Sequence, residues 1–174
     1  MLLQRLDIAQ FNKVFSIMEA SFPLEEYRPY EEQKALLEDP AYAIYVHTDE
    51  KIGKVNAFLS VWDFETMGFI EHFAVDPACR GGGLGGKLLD EITSLFEKPV
   101  CLEVEPPENE ITTRRVGFYS RHGFFLNSYP YMQPSISKGR SPLPLLIMTS
   151  GRTIQKTEFE AVKTLLYRRV YKVL

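Results

Sequence analysis

Cysteine is scarce in this 174-residue chain, with Cys79 and Cys101 making up the whole supply. Two thiols cannot staple a small secreted scaffold, so reduced thiols and a cytoplasmic location are expected. Long apolar runs are missing too. No segment reaches the ~20 residues of a membrane span, and the N-terminus has no signal-peptide core, so no membrane association is expected. An excess of positive charge is also lacking. Twenty Lys and Arg stand against 23 Asp and Glu, a formal net charge of −3 that offers nucleic acid no basic field. There is no internal repeat or low-complexity tract. What the chain does have is apolar: 45% hydrophobic and 13% aromatic residues suffice for a real core and exclude global disorder. The length fits one domain spanning residues 1–174.

Glycine is concentrated rather than abundant. Five of the six residues from Gly81 to Gly86 are glycine, between the apolar run Phe69–Val75 and a helix-patterned segment. Glycine lets the backbone come close to a ligand and adopt positive φ. A helix starting just after such a loop directs unpaired N–H groups and a partial positive charge at its occupant. With Arg80 as an added cation, the loop is a phosphate site.

Three kinds of phosphate loop compete for this stretch. Gly81-x4-Gly86-Lys87 has the spacing of a P-loop and misses its last residue, because Leu88 stands where a Ser or Thr must hold magnesium. The dinucleotide pattern Gly81-x-Gly83-x-x-Gly86 is present, with Glu103 or Glu105 near the place of a ribose-binding acid. Against it, Asp76-Pro77-Ala78-Cys79-Arg80 separates the strand from the first glycine, and no second nucleotide-binding half follows. The third pattern fits throughout. Val75-Asp76-Pro77-x-x-Arg80-Gly81-x-Gly83-Leu84-Gly85-x-x-Leu88-Leu89 resembles the acyl-CoA-binding signature of the GNAT N-acetyltransferase family. Downstream, Gly117-Phe118-Tyr119-Ser120-Arg121-His122-Gly123-Phe124 resembles the same family's second helix end. The resemblance covers residues 69–125.

The periodicity of the chain predicts alternating elements. Phe11, Val14, Phe15 and Met18 share one face of a helix over 10–20, and residues 30–38 read as a more polar second helix. Residues 42–47, 55–62 and 68–75 read as a three-strand meander. Leu84, Leu88, Leu89, Ile92, Leu95 and Phe96 mark the buried stripe of the helix after the glycine loop. The strand 100–105 then runs parallel to the strand before the loop, because a helix crosses between them. Thr112 or Thr113 is the expected cap of a helix ending at Gly123. Residues 124–131 and 143–149 close the pattern as a strand pair. The amphipathic tail 157–174 either packs against the domain or forms a partner or homodimer helix. The loop 133–144 connects strands or covers the acceptor as a lid.

The resemblance implies a mixed α+β acyl-CoA N-acyltransferase fold. Its sheet is mostly antiparallel, with one splayed parallel pair, flanked by helices. It also implies acetyl-CoA as co-substrate, no metal, and direct attack of an amine on the thioester. The N–H groups of Gly81, Gly82, Gly83, Leu84, Gly85, Gly86 and Lys87, with Arg80, would hold the diphosphate. The backbone of Phe73, Ala74 and Val75 would pair with the pantetheine arm. Tyr119 would be the general acid to the leaving thiolate, its ordinary pKa of about 10 lying near a thiol's. Thr112 stands where the family often has Asn, and Asn109 could supply that contact instead. For the base the order is Glu71, Glu103, then His72. The acceptor is a small amine, a lysine or a peptide N-terminus. Glu25, Glu26, Glu31 and Glu32 could attract its charge, and Tyr129-Pro130-Tyr131-Met132 either lines an acceptor pocket or fills the core. Two other readings stand beside this one: a non-catalytic acyl-CoA-binding domain of the same fold, and a nicotinamide-dependent oxidoreductase.

Overall fold

The computed structural model describes residues 1–174. Seven strands lie in the order β1-β2-β3-β4-β5-β7-β6, and helices flank them. The fold is mixed α/β, with a mostly antiparallel sheet and one parallel pair, β4 and β5, joined through a helix. The residues fall into two compact units, 1–23 with 27–100 and 24–26 with 101–174. No helix is long and apolar enough to cross a membrane.

In the first unit, β1 (Gln4–Arg5) edges the meander β2 (Tyr42–Thr48), β3 (Val55–Asp63) and β4 (Gly68–Val75). Strand β3 is central and covered on both faces, so its consecutive residues Phe58 and Leu59 are both fully buried. The helix α1 (Phe11–Ser21) buries Phe11, Val14, Phe15, Ile17 and Met18 and packs on β3 and β4. It stops at Phe22, whose extended backbone is what a residue before proline adopts. The second helix is shorter than its pattern predicts. α2 covers Tyr30–Ala35 and tightens into a 3-10 turn over Leu36–Glu38.

The helix α3 (Leu84–Leu95) follows the glycine loop and buries Leu88, Leu89 and Ile92. Its expected stripe is corrected at the far end, where Leu95 is exposed and Phe96 leaves the helix with extended backbone. The ring of Phe96 instead lies over Gly68, where an added Cβ would come within 2.8 Å of it.

In the second unit β7 (Leu143–Ser150) lies between β5 (Val100–Val104) and β6 (Phe124–Gln133), antiparallel to both. The β6–β7 register breaks between Asn127 and Tyr131, and Pro130, which has no N–H for the ladder, sits in the break. Asn127 stitches this irregular stretch. Its Nδ2 donates to Ile147 O (3.1 Å) and Thr149 Oγ1 (3.0 Å), and its Oδ1 accepts from Ile154 N (2.9 Å). The helix α4 spans Glu110–Arg121 and α5 spans Lys156–Arg169, and both pack on β6. The cap of α4 is Asn109, not Thr112 or Thr113. Asn109 accepts from Thr112 N at 2.9 Å while the Thr112 hydroxyl accepts from Asn109 N at 3.1 Å. Such a reciprocal box ties down two donors that a lone Thr cap would leave open. In the tail Phe159, Leu166 and Val170 are buried, whereas Val173 is exposed.

Candidate active site

The glycine loop is built by local rules. Asp76 ends β4 and accepts from Ala78 N at 3.0 Å, which folds Pro77–Cys79 into a 3-10 turn. Lys54 pairs with the same carboxylate at 3.1 Å. The backbone donor and Lys54 together hold Asp76 below the usual carboxylate range. Arg80 is steered by its own loop, its Nε donating to Val75 O at 3.0 Å. Gly81 and Gly83 then take positive φ, 91° and 76°, and Gly83 caps α3.

Gly82 needs no such conformation, yet a Cβ added there meets nothing within 4 Å, and the same holds at Gly81 and Gly83. Packing within the protein therefore does not demand a glycine at 82. All three residues are exposed at the start of a 12-residue helix, the geometry that an anionic diphosphate fits. Beyond them Leu84 and Gly85 are half-buried, Gly86 is buried and Lys87 is exposed.

On β4 a bulge decides where the acidic candidate goes. Ser60 pairs with His72 and Val61 with Ile70, so Glu71 is the extra residue without a partner across the ladder. The Glu71 carboxylate is buried and engaged at both oxygens. Arg28 Nη1 pairs with Oε1 at 2.9 Å, and Trp62 Nε1 donates to Oε2 at 2.9 Å. Burial pushes its pKa up, but Arg28, His72 and the Trp62 bond outweigh that and hold it below the usual Glu value. Arg28 is fixed in turn, since Gln33 Oε1 accepts from its backbone N–H at 3.2 Å and Gln33 Nε2 donates to Tyr42 Oη at 3.0 Å. A carboxylate so well satisfied is a poor proton acceptor. His72 is 2% exposed, with its Nδ1 2.8 Å from Ser60 Oγ and its ring against Phe22. Phe73 and Val75 lie half-buried on the face opposite to Ala74.

In the second unit Tyr119 lies on α4, with its ring against Phe118 (5.3 Å) and Phe124 (6.0 Å). Burial raises its phenol to about 12, Arg115 pulls the value down and Glu26 pushes it up. Glu103 on β5 accepts a hydrogen bond from Tyr171 in the C-terminal tail. Its negative charge joins burial in raising the phenol of Tyr131. Glu105, just past β5, pairs with Arg115 at 3.2 Å. Glu26 lies in a 3-10 turn, Leu24–Glu26, whose Glu25 carbonyl accepts from Gln133 Nε2 at 2.9 Å. Burial, Glu105 and Glu25 raise Glu26 to about 7, against a downward pull from Arg115.

Sequence reasoning did not find the roles of Arg28 and Tyr171. Arg28 stands in the segment assigned to the acceptor side, with no local sign that it would meet a carboxylate on β4. Tyr171 lies outside both motifs. No group of His, Cys, Asp and Glu is arranged to hold a metal ion.

Comparisons with known proteins identify the family. The model of the acetyltransferase (GNAT) family matches residues 11–124. The Bacillus subtilis protein named "Putative acetyltransferase YjbC" is 33% identical over 146 residues, covering 82% of this chain and 73% of that one. A solved structure described as a "Putative acetyltransferase from GNAT family" from Bacteroides thetaiotaomicron is 30% identical, with a TM-score of 0.87 and full coverage of both chains. Arabidopsis thaliana NAA60, solved in complex with acetyl-CoA, shares the fold at a TM-score of 0.66 and 11% identity, over 84% of this chain and 96% of that one. On the family match and the two nearer relatives, this chain belongs to the GNAT acetyltransferase family.

Proposed function

We propose that the protein transfers the acetyl group of acetyl-CoA to a primary amine by direct attack of the amine nitrogen on the thioester. The observation that carries this reading is the loop Arg80–Gly86. It offers backbone N–H groups at the start of α3, two glycines turned to positive φ, and at Gly82 an opening that no packing within the protein explains. When bound, acetyl-CoA supplies the activated acetyl group. Arg80, the N–H groups of Gly81 to Gly86 and Lys87 hold its diphosphate, and the backbone of Phe73, Ala74 and Val75 accompanies the pantetheine arm.

Tyr119 supplies the proton that the leaving sulfur needs. Of the two carboxylates proposed as base on the strands, Glu71 is held by Arg28 and Trp62, whereas Glu103 accepts from Tyr171 at one oxygen. The acceptor is a small amine, a lysine or a peptide N-terminus, drawn by the acidic run Glu25, Glu26, Glu31 and Glu32.

Calorimetric titration with acetyl-CoA, using NAD as the control ligand, tests the cofactor. Micromolar binding of acetyl-CoA alone supports the reading, whereas no binding, or binding of NAD instead, overturns it. Tyr119→Phe then separates an enzyme from a domain that only binds acyl-CoA. Turnover falls while acetyl-CoA affinity stays level if Tyr119 protonates the thiolate.

A further inference from the structure

Strand register separates Glu103 from Tyr119 within the second unit. Glu103 on β5 is the ladder partner of Ile147 on β7, and Tyr131 on β6 is the partner of Leu145. Ile147 and Leu145 are two residues apart, so Glu103 and Tyr131 project from one face of the sheet. Phe159 packs on the Tyr131 ring, which puts α5 over that face. Phe124, whose ring meets Tyr119 on α4, is the partner of Ser150 and belongs to the other face. The two groups thus stand on opposite sides of the strands β5, β7 and β6.

Over the face of Glu103, α5 ends in a closely specified turn. Its Tyr167 phenol donates to Met132 O on β6, and Leu166 and Val170 are buried. Tyr171 N donates to Leu166 O at 3.1 Å and Val173 N to Tyr167 O at 2.9 Å. Between them Lys172 has a φ of 56°, and it is the one non-glycine residue of the chain in the left-handed region. A residue with a Cβ holds that conformation only where its surroundings demand it. What the turn delivers is Tyr171, 7% exposed, whose phenol donates to Glu103 Oε1 across 68 positions. A phenol carries no charge, so it fixes the carboxylate without cancelling it, unlike the guanidinium that holds Glu71. The negative charge acts on its own face, where it joins burial in raising the thiol of Cys101 and the phenol of Tyr131.

We propose that Tyr171 is a positioning residue for acetyl transfer, its phenol fixing the Glu103 carboxylate as the group that takes protons from the acceptor's nitrogen. The inference rests on the acetyltransferase reading and adds to it a part of the chain beyond residues 11–124, where the family model matches. Glu103 takes one proton from the ammonium and releases it to water. The freed lone pair on nitrogen forms the N–C bond to the acetyl carbon, and the C–S bond breaks. Glu103 takes the second proton from nitrogen and releases that too. On the other face Tyr119 gives its phenolic proton to the departing sulfur and regains one from water. The products are the amide, the free thiol and one proton in solution. A hydroxyl donating to a carboxylate favours its charged form, which is the form that accepts protons. Tyr171 therefore keeps Glu103 both aimed and ready at neutral pH.

Two measurements on the intact chain test this. The first needs no substrate: carboxyl carbon resonances of glutamate-labelled protein are followed by NMR as pH is raised, with Glu103→Gln identifying the signal. In Tyr171→Phe, which keeps the ring and loses only the donor, the Glu103 midpoint should move up by on the order of one pH unit. A midpoint that does not move overturns the inference. The second is the pH profile of kcat/KM for thiol release from acetyl-CoA, with spermidine and an alanine-leading peptide as probe acceptors. Glu103→Gln is expected to lower kcat/KM about 100-fold or more and to remove the acidic limb of the profile. Tyr171→Phe should lower it about tenfold, the worth of one hydrogen bond to a charged group, and carry the acidic limb to higher pH. Its acetyl-CoA affinity should stay within about twofold, and in the Glu103→Gln background it should change nothing further. A limb that Tyr171→Phe leaves in place, or a rate that Glu103→Gln leaves unchanged, sinks the inference and leaves the transferase standing. Wild-type protein that binds no acetyl-CoA, or turns over neither probe, overturns the transferase reading itself.

Discussion

Arg28 and Glu71 form the most consequential residue pair outside the glycine loop. Their charged groups are 6% and 3% exposed, so neither is much solvated by water. Removing one partner of such a pair leaves an uncompensated buried charge, which costs about 3–5 kcal/mol. Arg28→Met should therefore lower stability at neutral pH by that amount in denaturant melts. The pH dependence follows from the direction of the shift. In the folded protein Glu71 titrates below the 4.5 of an ordinary Glu. Its stabilising contribution is thus complete above 4.5 and is lost as pH falls through the folded pKa. In Arg28→Met the same carboxyl is buried without its cation, and its pKa moves up instead. The gap between the two proteins should narrow steadily as pH drops from 7 to 4. A gap that stays constant over that range would mean that Glu71 is not the group left unpaired.

Glu26 carries the opposite sign. A carboxyl raised to about 7 stabilises the fold below its unfolded value of 4.5, and that contribution is lost as pH rises through about 7. Glu26→Gln should therefore melt at a higher temperature than the wild type at pH 8 and at a similar one at pH 4. Thermal melts at the two pH values check this without any substrate. Neither of these residue-scale features was legible in advance. The sequence points to Glu71 as a base because it lies on the strand before the loop. Its clamp comes from Arg28, 43 positions away, and from a bulge that no strand pattern announces.

At the scale of elements, the loop between β4 and α3 makes the sharpest test. Gly83→Ala puts a Cβ on a residue with φ of 76°, and the left-handed conformation costs about 1–2 kcal/mol. Gly82→Ala meets neither a positive φ nor a neighbouring atom, so stability should stay within about 0.5 kcal/mol. If a ligand's diphosphate lies against this backbone, however, Gly82→Ala should weaken acetyl-CoA affinity at least tenfold in calorimetry. Unchanged affinity would place the ligand elsewhere.

Elements were far more legible than partners. The meander, the helix after the glycines and the closing strand pair all stand close to where periodicity puts them, because alternation and 3.6-residue spacing are local properties. The misses have physical causes. Asn109 rather than Thr112 caps α4, since the box needs both side chains and the sequence shows only that either could serve. Helix α3 stops at Leu95 because Phe96 is drawn out to cover Gly68, a contact across 28 positions that no window on the helix contains.

At the scale of the whole molecule, the helix beyond the family motifs belongs to the core of its unit. Phe159 is 2% exposed, and its ring stacks on Tyr129 at 4.9 Å and meets Tyr131 edge-on at 6.3 Å. Phe159→Ala should lower stability by about 3–5 kcal/mol, as a cavity under two aromatic rings would. A loss below about 1 kcal/mol in a denaturant melt would show that α5 is only loosely applied to β6. The same packing answers the sequence's question about Tyr129-Pro130-Tyr131-Met132. Tyr131 is buried against Phe159 while Met132 is exposed, so the segment is divided between core and surface.

By itself the sequence determined the order of elements, the glycine loop at the head of a helix and the family signature from Val75 to Phe124. Each depends on neighbours within a few positions, where backbone freedom, capping and periodicity operate. Only the tertiary structure decided which partners each carboxylate meets. Glu71 found Arg28 and Trp62, Glu103 found Tyr171 across 68 positions, and Glu26 came within electrostatic reach of Glu105 and Arg115. A carboxyl's pKa is set by its burial and by the charges within a few ångströms, and folding alone brings those together.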